Sequence, residues 1–116
     1  NIEAVGEALL LASKAGVDPS KVRQALMGGF ASSKILEIHG ERMIKRTFNP
    51  GFRIELHQKD LSLALGTARS LGLSLPNTST AQELFNACSA AGASGQDHSA
   101  MVCALEQLAQ HKVAES

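Results

Sequence analysis

The stretch from Asn49 to Gly66, "NPGFRIELHQKDLSLALG", decides the fold class of this chain. Ile54 and Leu56, then Leu61, Leu63 and Leu65, recur every second residue, as along a strand. Leu61, Ala64, Leu65 and Ala68 also fall at i, i+3, i+4 and i+7, the apolar face of a helix. The length of the run, its alanines and the absence of β-branched residues from Glu55 to Gly66 favour the helix. It is expected to begin near His57 and to end at Gly72, with Pro76 just beyond.

The same helical period extends in both directions. Upstream, Ile2, Val5, Leu9 and Ala12 form one stripe, and Ala4, Ala8, Leu11 and Ala15 form a second beside it. A helix apolar over so much of its girth is expected to pack on several sides. Gly16 stops it, and Asp18-Pro19 supplies an N-cap and an N1 proline for the next, whose inner face is Val22, Ala25 and Leu26. Gly28-Gly29 ends that helix. Ser32 or Ser33 caps a third, anchored by Ile35, Leu36, Ile38, Met43 and Ile44, before the turn-rich "RTFNPGF". Downstream, Thr80 with Glu83 has the spacing of a capping box, and Ala81, Leu84, Phe85 and Cys88 face inward. After the "GASGQD" loop, Asp97 or Ser99 starts a sixth helix with Met101, Ala104, Leu105 and Leu108 inward, and the tail from His111 is expected to fray. The result is one all-α domain of about six helices over residues 1–116.

Composition narrows the function. With 44% hydrophobic and 19% charged residues the chain can bury a core. Eleven basic and eleven acidic side chains leave no basic field for nucleic acid or a membrane surface. Aromatics are 3%, all Phe, so base stacking is not expected. No apolar run approaches the ~20 residues that span a bilayer, and no signal peptide opens the chain. Cys88 and Cys103 sit in helical apolar patterns and read as small hydrophobes of a reduced, cytoplasmic protein. Asn1, with no Met before it and helical pattern from the start, reads as a cut point inside a longer protein.

Few residues offer chemistry. His39, His57, His98 and His111 form no H-x-x-x-H pair and lie near no cysteine at ligand spacing, so no metal is expected and each reads as a surface or loop histidine. "DHS" at 97–99 holds triad residue types, but contiguous neighbours do not converge as a triad, and a helix start is the better reading. On a helix, positions 52, 56 and 59 share a face. If the helix begins near His57, Lys59 stands in its first turn. A cation there costs a few tenths of a kcal/mol unless an anion is present, whereas Asp60 is favourable on its own account.

"GFRIELHQKDLSLAL" resembles the signature of the C-terminal domain of the β-hydroxyacid dehydrogenases: Gly-Phe, three residues, Leu, two residues, then Lys-Asp-Leu. "EALLLASKAGVDP", "QALMGGFASSKIL", "LPNTSTAQELF" and "GQDHSAM" agree with that family in order and spacing along the whole chain. The resemblance implies the C-terminal helical fold of the 6-phosphogluconate dehydrogenase-like enzymes. It implies an N-terminal Rossmann domain for NAD or NADP, absent from this chain together with the start of the interdomain helix. The family's lysine contact to the cofactor corresponds to Lys59, and Phe52 and Asp60 correspond to residues lining the substrate pocket. The general-acid lysine is expected upstream of Asn1, so no catalytic residue is assigned here, and the chain alone is expected to be inactive. The implied reaction interconverts tartronate semialdehyde and D-glycerate. Oxidation of 3-hydroxyisobutyrate and reduction of glyoxylate or succinic semialdehyde are alternatives, as is a non-catalytic helical oligomerisation module. The implied partners are a small hydroxyacid or semialdehyde, the protein's own Rossmann domain and further copies of itself.

Overall fold

Residues 1–115 are described by a computed structural model. Six α-helices follow one another: α1 (Ile2–Lys14), α2 (Pro19–Met27), α3 (Lys34–Lys45), α4 (Ile54–Leu71), α5 (Pro76–Ala90) and α6 (Val102–Ala109). A short 3-10 turn, His98–Met101, leads into α6. The described residues include no strand; one isolated antiparallel bridge joins Arg53 to Asp97. No described helix is long and apolar enough to cross a membrane.

Local chemistry sets most boundaries. The Asp18 carboxylate accepts from the Ser20 amide at 2.9 Å ahead of Pro19, and the Ser33 hydroxyl accepts from the Leu36 amide at 2.9 Å. Gly72 closes α4 at φ 68°, a conformation that favours glycine. Helix α1 runs against α2, α3 and α6, and Gly6 permits the last contact: a Cβ there would lie 3.0 Å from the Leu105 Cδ1. Leu9, Met43, Ile54, Phe85, Met101, Val102 and Val113 form the fully buried centre, drawn from nearly every element.

Several expectations are corrected. Helix α4 begins at Ile54, not near His57, because the Ile54 and Glu55 amides are taken by the Gln96 and Ser94 carbonyls. Lys59 is therefore in the second turn, where the dipole penalty has largely faded. Phe52 precedes the helix, so 52, 56 and 59 do not share a helical face. Helix α5 begins at Pro76, and Thr80 is inside it, its hydroxyl donating to the Pro76 carbonyl at 3.2 Å rather than capping. Leu11, Ile38 and Leu108 point outward. The tail does not fray at His111: Val113 is 1% exposed and its amide donates to the Glu106 carboxylate at 2.7 Å.

Candidate functional site

The turn before α4 and the loop before the 3-10 turn are sewn together. The Asp97 amide donates to the Phe48 carbonyl at 2.9 Å and the His98 amide to the Phe52 carbonyl at 2.8 Å. The Asp97 side chain, 0% exposed, completes the seam. Its Oδ2 accepts from the Gly51 and Phe52 amides at 2.9 and 3.0 Å; its Oδ1 accepts from the Ser99 amide at 3.0 Å and the Ser99 hydroxyl at 2.6 Å. Burial alone would raise the pKa of this carboxyl, but the donors from Ser99, Phe52 and Gly51 outweigh it and hold it down at about 2. The "DHS" stretch is thus a helix start, as its sequence implies, and a loop anchor as well.

Three histidines converge above this anchor. The His57 and His98 Nδ1 atoms are 2.9 Å apart, and the His98 and His39 Nε2 atoms 3.1 Å apart. The Phe52 ring lies edge-on to the His98 and His57 rings, at 5.3 and 6.1 Å between centroids. Phe85 supports His57 from below at 4.7 Å. Burial depresses all three imidazoles. For His98, with His39, His57 and Arg42 nearby outweighing Asp97, the value falls to about 4. The reading of these side chains as surface or loop histidines is therefore wrong. Only the tertiary seam brings positions 39, 57 and 98 together, and no local spacing announces it.

The sequence-predicted residues separate into two groups. Phe52 joins the histidine cluster and is 36% exposed. Lys59 and Asp60 lie on the outer face of α4, Nζ to Oδ1 at 3.3 Å, with side chains 63% and 51% exposed. Asp60 also lies near enough to His57 to oppose the fall in its pKa, which links it to the cluster electrostatically. His57 and Leu61 line an open groove of about 630 Å³ between α1, α4 and α5, with Glu3, Glu7 and Asn77 on its other walls. Lys59 does not line that groove. Its ammonium instead points to the outside, with Asp60 as its ionic partner.

Neither thiol reads as a nucleophile. Burial pushes Cys88 up to about 11 and also raises Cys103, and a thiol so displaced is protonated at neutral pH. His39, Asp97 and His98 offer ligand-type atoms within 4.8 Å of one another. Both Asp97 oxygens are already engaged by four donors, and the Arg42 Nη1 stands 3.7 Å from Oδ1, which disfavours a second cation there. Asp97 is thus spent as a loop anchor, and its lone pairs are poorly placed to serve as metal ligands.

Residues 1–105 match the family described as NAD-binding of NADP-dependent 3-hydroxyisobutyrate dehydrogenase. The chain is 74% identical over 114 residues to a 2-hydroxy-3-oxopropionate reductase of Escherichia coli (strain K12), covering 98% of this chain and 39% of that one. It is 38% identical over 102 residues to a probable 3-hydroxyisobutyrate dehydrogenase-like 1, mitochondrial, of Arabidopsis thaliana, covering 88% and 30%. The fold superposes on the crystal structure of a 3-hydroxyisobutyrate dehydrogenase from Salmonella typhimurium with a TM-score of 0.84 at 29% identity, over 88% of this chain and 36% of that one. The chain spans well under half the length of these relatives.

Proposed function

This chain belongs to the family of NAD-binding domains of NADP-dependent 3-hydroxyisobutyrate dehydrogenases, and on that premise we propose that it is the C-terminal helical domain of an NAD(P)-dependent reductase interconverting tartronate semialdehyde (2-hydroxy-3-oxopropionate) and D-glycerate. The observation that carries the reading is the 74% identity to a 2-hydroxy-3-oxopropionate reductase across 98% of the chain. The Lys-Asp-Leu signature and the all-α fold agree with it.

In this reading a bound nicotinamide, held mainly by an N-terminal Rossmann domain, would supply the hydride that reduces the aldehyde carbon. A lysine upstream of Asn1 gives the proton to the developing alkoxide. Lys59 bonds the cofactor, its exposed ammonium being free to swing from Asp60 to a group on that domain. Phe52 and Asp60 line the substrate pocket, the ring excluding water and the carboxylate setting local charge. A cytoplasmic location is part of the same proposal. Steady-state kinetics of the full-length protein test it, with NADH or NADPH for tartronate semialdehyde, glyoxylate and succinic semialdehyde, and with NAD+ or NADP+ for 3-hydroxyisobutyrate. The tartronate semialdehyde kcat/KM should lead by more than about tenfold. A higher value for another substrate overturns the assignment.

Assembly is the second element of the proposal. Leu63, Leu71, Leu73 and Leu75 border an apolar groove of about 340 Å³ beside α4, and the first three are more than half exposed. Apolar faces of this kind mark contacts, and a second copy of the chain is the occupant proposed. The mass of the full-length protein by light scattering should be a multiple of its chain mass. Replacing Leu71 and Leu73 with Lys should lower it, and a monomeric parent overturns the reading.

A further inference from the structure

His57, His98 and His39 are joined end to end by two nitrogen–nitrogen contacts, which leaves their protons little choice. A neutral imidazole has one N–H and one lone pair. Each contact, Nδ1 of His57 to Nδ1 of His98 and Nε2 of His98 to Nε2 of His39, needs one hydrogen. Three neutral rings hold three, so the remaining one sits at an end of the row. Only two arrangements satisfy both contacts. Either His39 carries Nδ1–H, His98 Nε2–H and His57 Nδ1–H, or every proton is on the opposite nitrogen.

Asp97 selects between them. Its Oδ1 lies 3.7 Å from the His39 Nδ1, which is buried and has no hydrogen-bond partner. A lone pair on that nitrogen would face a carboxylate, whereas an N–H faces it favourably. The choice then propagates through His98 and leaves the His57 Nε2 without a hydrogen. His57 lines the groove, and among the described residues this nitrogen has no partner.

We propose that His39, His98 and His57 form a tautomer-locked relay, set by Asp97, that presents the unprotonated Nε2 of His57 to the groove between α1, α4 and α5 as an acceptor for the hydroxyl of a small-molecule ligand. A proton taken from such a group balances along the row. It binds the His57 Nε2, the His57 Nδ1 proton passes to the His98 Nδ1, and the His98 Nε2 proton passes to the His39 Nε2. The charge ends as an imidazolium on His39 beside Asp97. The depressed pKa values keep the resting rings neutral at physiological pH. Asp97 and Arg42 face the inner end of the row, and Asp60 faces the outer end.

Long-range proton–nitrogen correlation spectra of the full-length protein, slightly above neutral pH, read which ring nitrogen carries each hydrogen. Pure Nδ1–H at His57 and His39, with Nε2–H at His98, is expected. A hydrogen on the His57 Nε2 overturns the proposal without touching the reductase reading, since turnover is not measured. His39→Phe should convert His57 from one tautomer to a mixture of both, and an unchanged pure tautomer removes Asp97 as the selector. Glycerol, as a plain polyol probe, should move the His57 Nε2 resonance and leave those of His111 in place. A stationary His57 signal defeats the ligand role.

Discussion

The Arg46 guanidinium meets the Glu106 carboxylate in a two-point contact, at 2.6 and 2.7 Å, across sixty residues of sequence. Both side chains are largely buried, and Glu106 Oε2 also accepts from the Val113 amide at 2.7 Å. Arg46 takes up this position in the left-handed conformation, φ 59°, that ends α3. One carboxylate thus holds the end of α3, the body of α6 and the C-terminal tail together. Removing one member of such a pair strands the other in a dry site. Glu106→Ala should cost about 3–5 kcal/mol in a denaturant unfolding experiment. The Arg46→Ala/Glu106→Ala double variant should lose clearly less than the sum of the two single losses.

The buried histidines make the domain sensitive to mild acid. His98 binds its proton at about 4 when folded against 6.5 as its ordinary value. A base whose folded pKa is depressed contributes stability that is whole above the unfolded value. That stability is lost as pH falls toward the folded value, because only the unfolded chain takes up the proton. Stability should therefore fall between about pH 6.5 and 4, by roughly 2 kcal/mol from His98 after discounting a half-buried ring for solvent screening. Asp97 acts later: its carboxyl, held at about 2 against 3.8, loses its contribution only as pH drops through that lower window. Chemical denaturation at a series of pH values checks both, and His98→Gln should make the upper window shallower, with His39 and His57 supplying what remains, and leave the lower window in place.

Lys59 is predicted to matter for the nucleotide and not for the fold. Its side chain is 63% exposed, and its one ionic partner is the adjacent Asp60. A charge-assisted bond to a cofactor contributes about 1.5–3 kcal/mol. Lys59→Ala in the full-length protein should therefore weaken nucleotide binding by roughly 10- to 100-fold. The melting temperature should stay within about 2 °C. Calorimetric titration and thermal melts separate the two effects.

Val113 is the anchor of the tail. At 1% exposure its methyls fill part of the core, beyond the last helix. Val113→Ala should cost about 2 kcal/mol from lost burial and the cavity left behind, and Val113→Asp should prevent folding. Denaturant midpoints of the two variants test this.

The helices were legible because their signals are local. Asp18-Pro19, Ser33 and Gly72 each do at their own positions what the residue type allows anywhere. The start of α4 was not, because backbone partners from residues 94 and 96 extend the helix three residues back from His57. Thr80 and Glu83 carry the spacing of a cap, yet Pro76 starts the helix a turn earlier, where its missing amide is no loss. Phe52, Lys59 and Asp60 could be singled out only through a resemblance between motifs. The histidine row had no such trace, since its members are brought together by a seam between two loops 41 residues apart at the His57–His98 contact.

That seam has a kinetic consequence. Segments joining helices ordinarily trade their amide hydrogens with water through small, independent openings. Here the amides of Gly51, Phe52, Ile54, Asp97, His98 and Ser99 all donate across the junction or into the buried Asp97 carboxylate. None can be released without disturbing a neighbour. Deuterium should enter these irregular segments as slowly as it enters the helical centre, so the part of the chain that looks least regular is set to be among its most rigid.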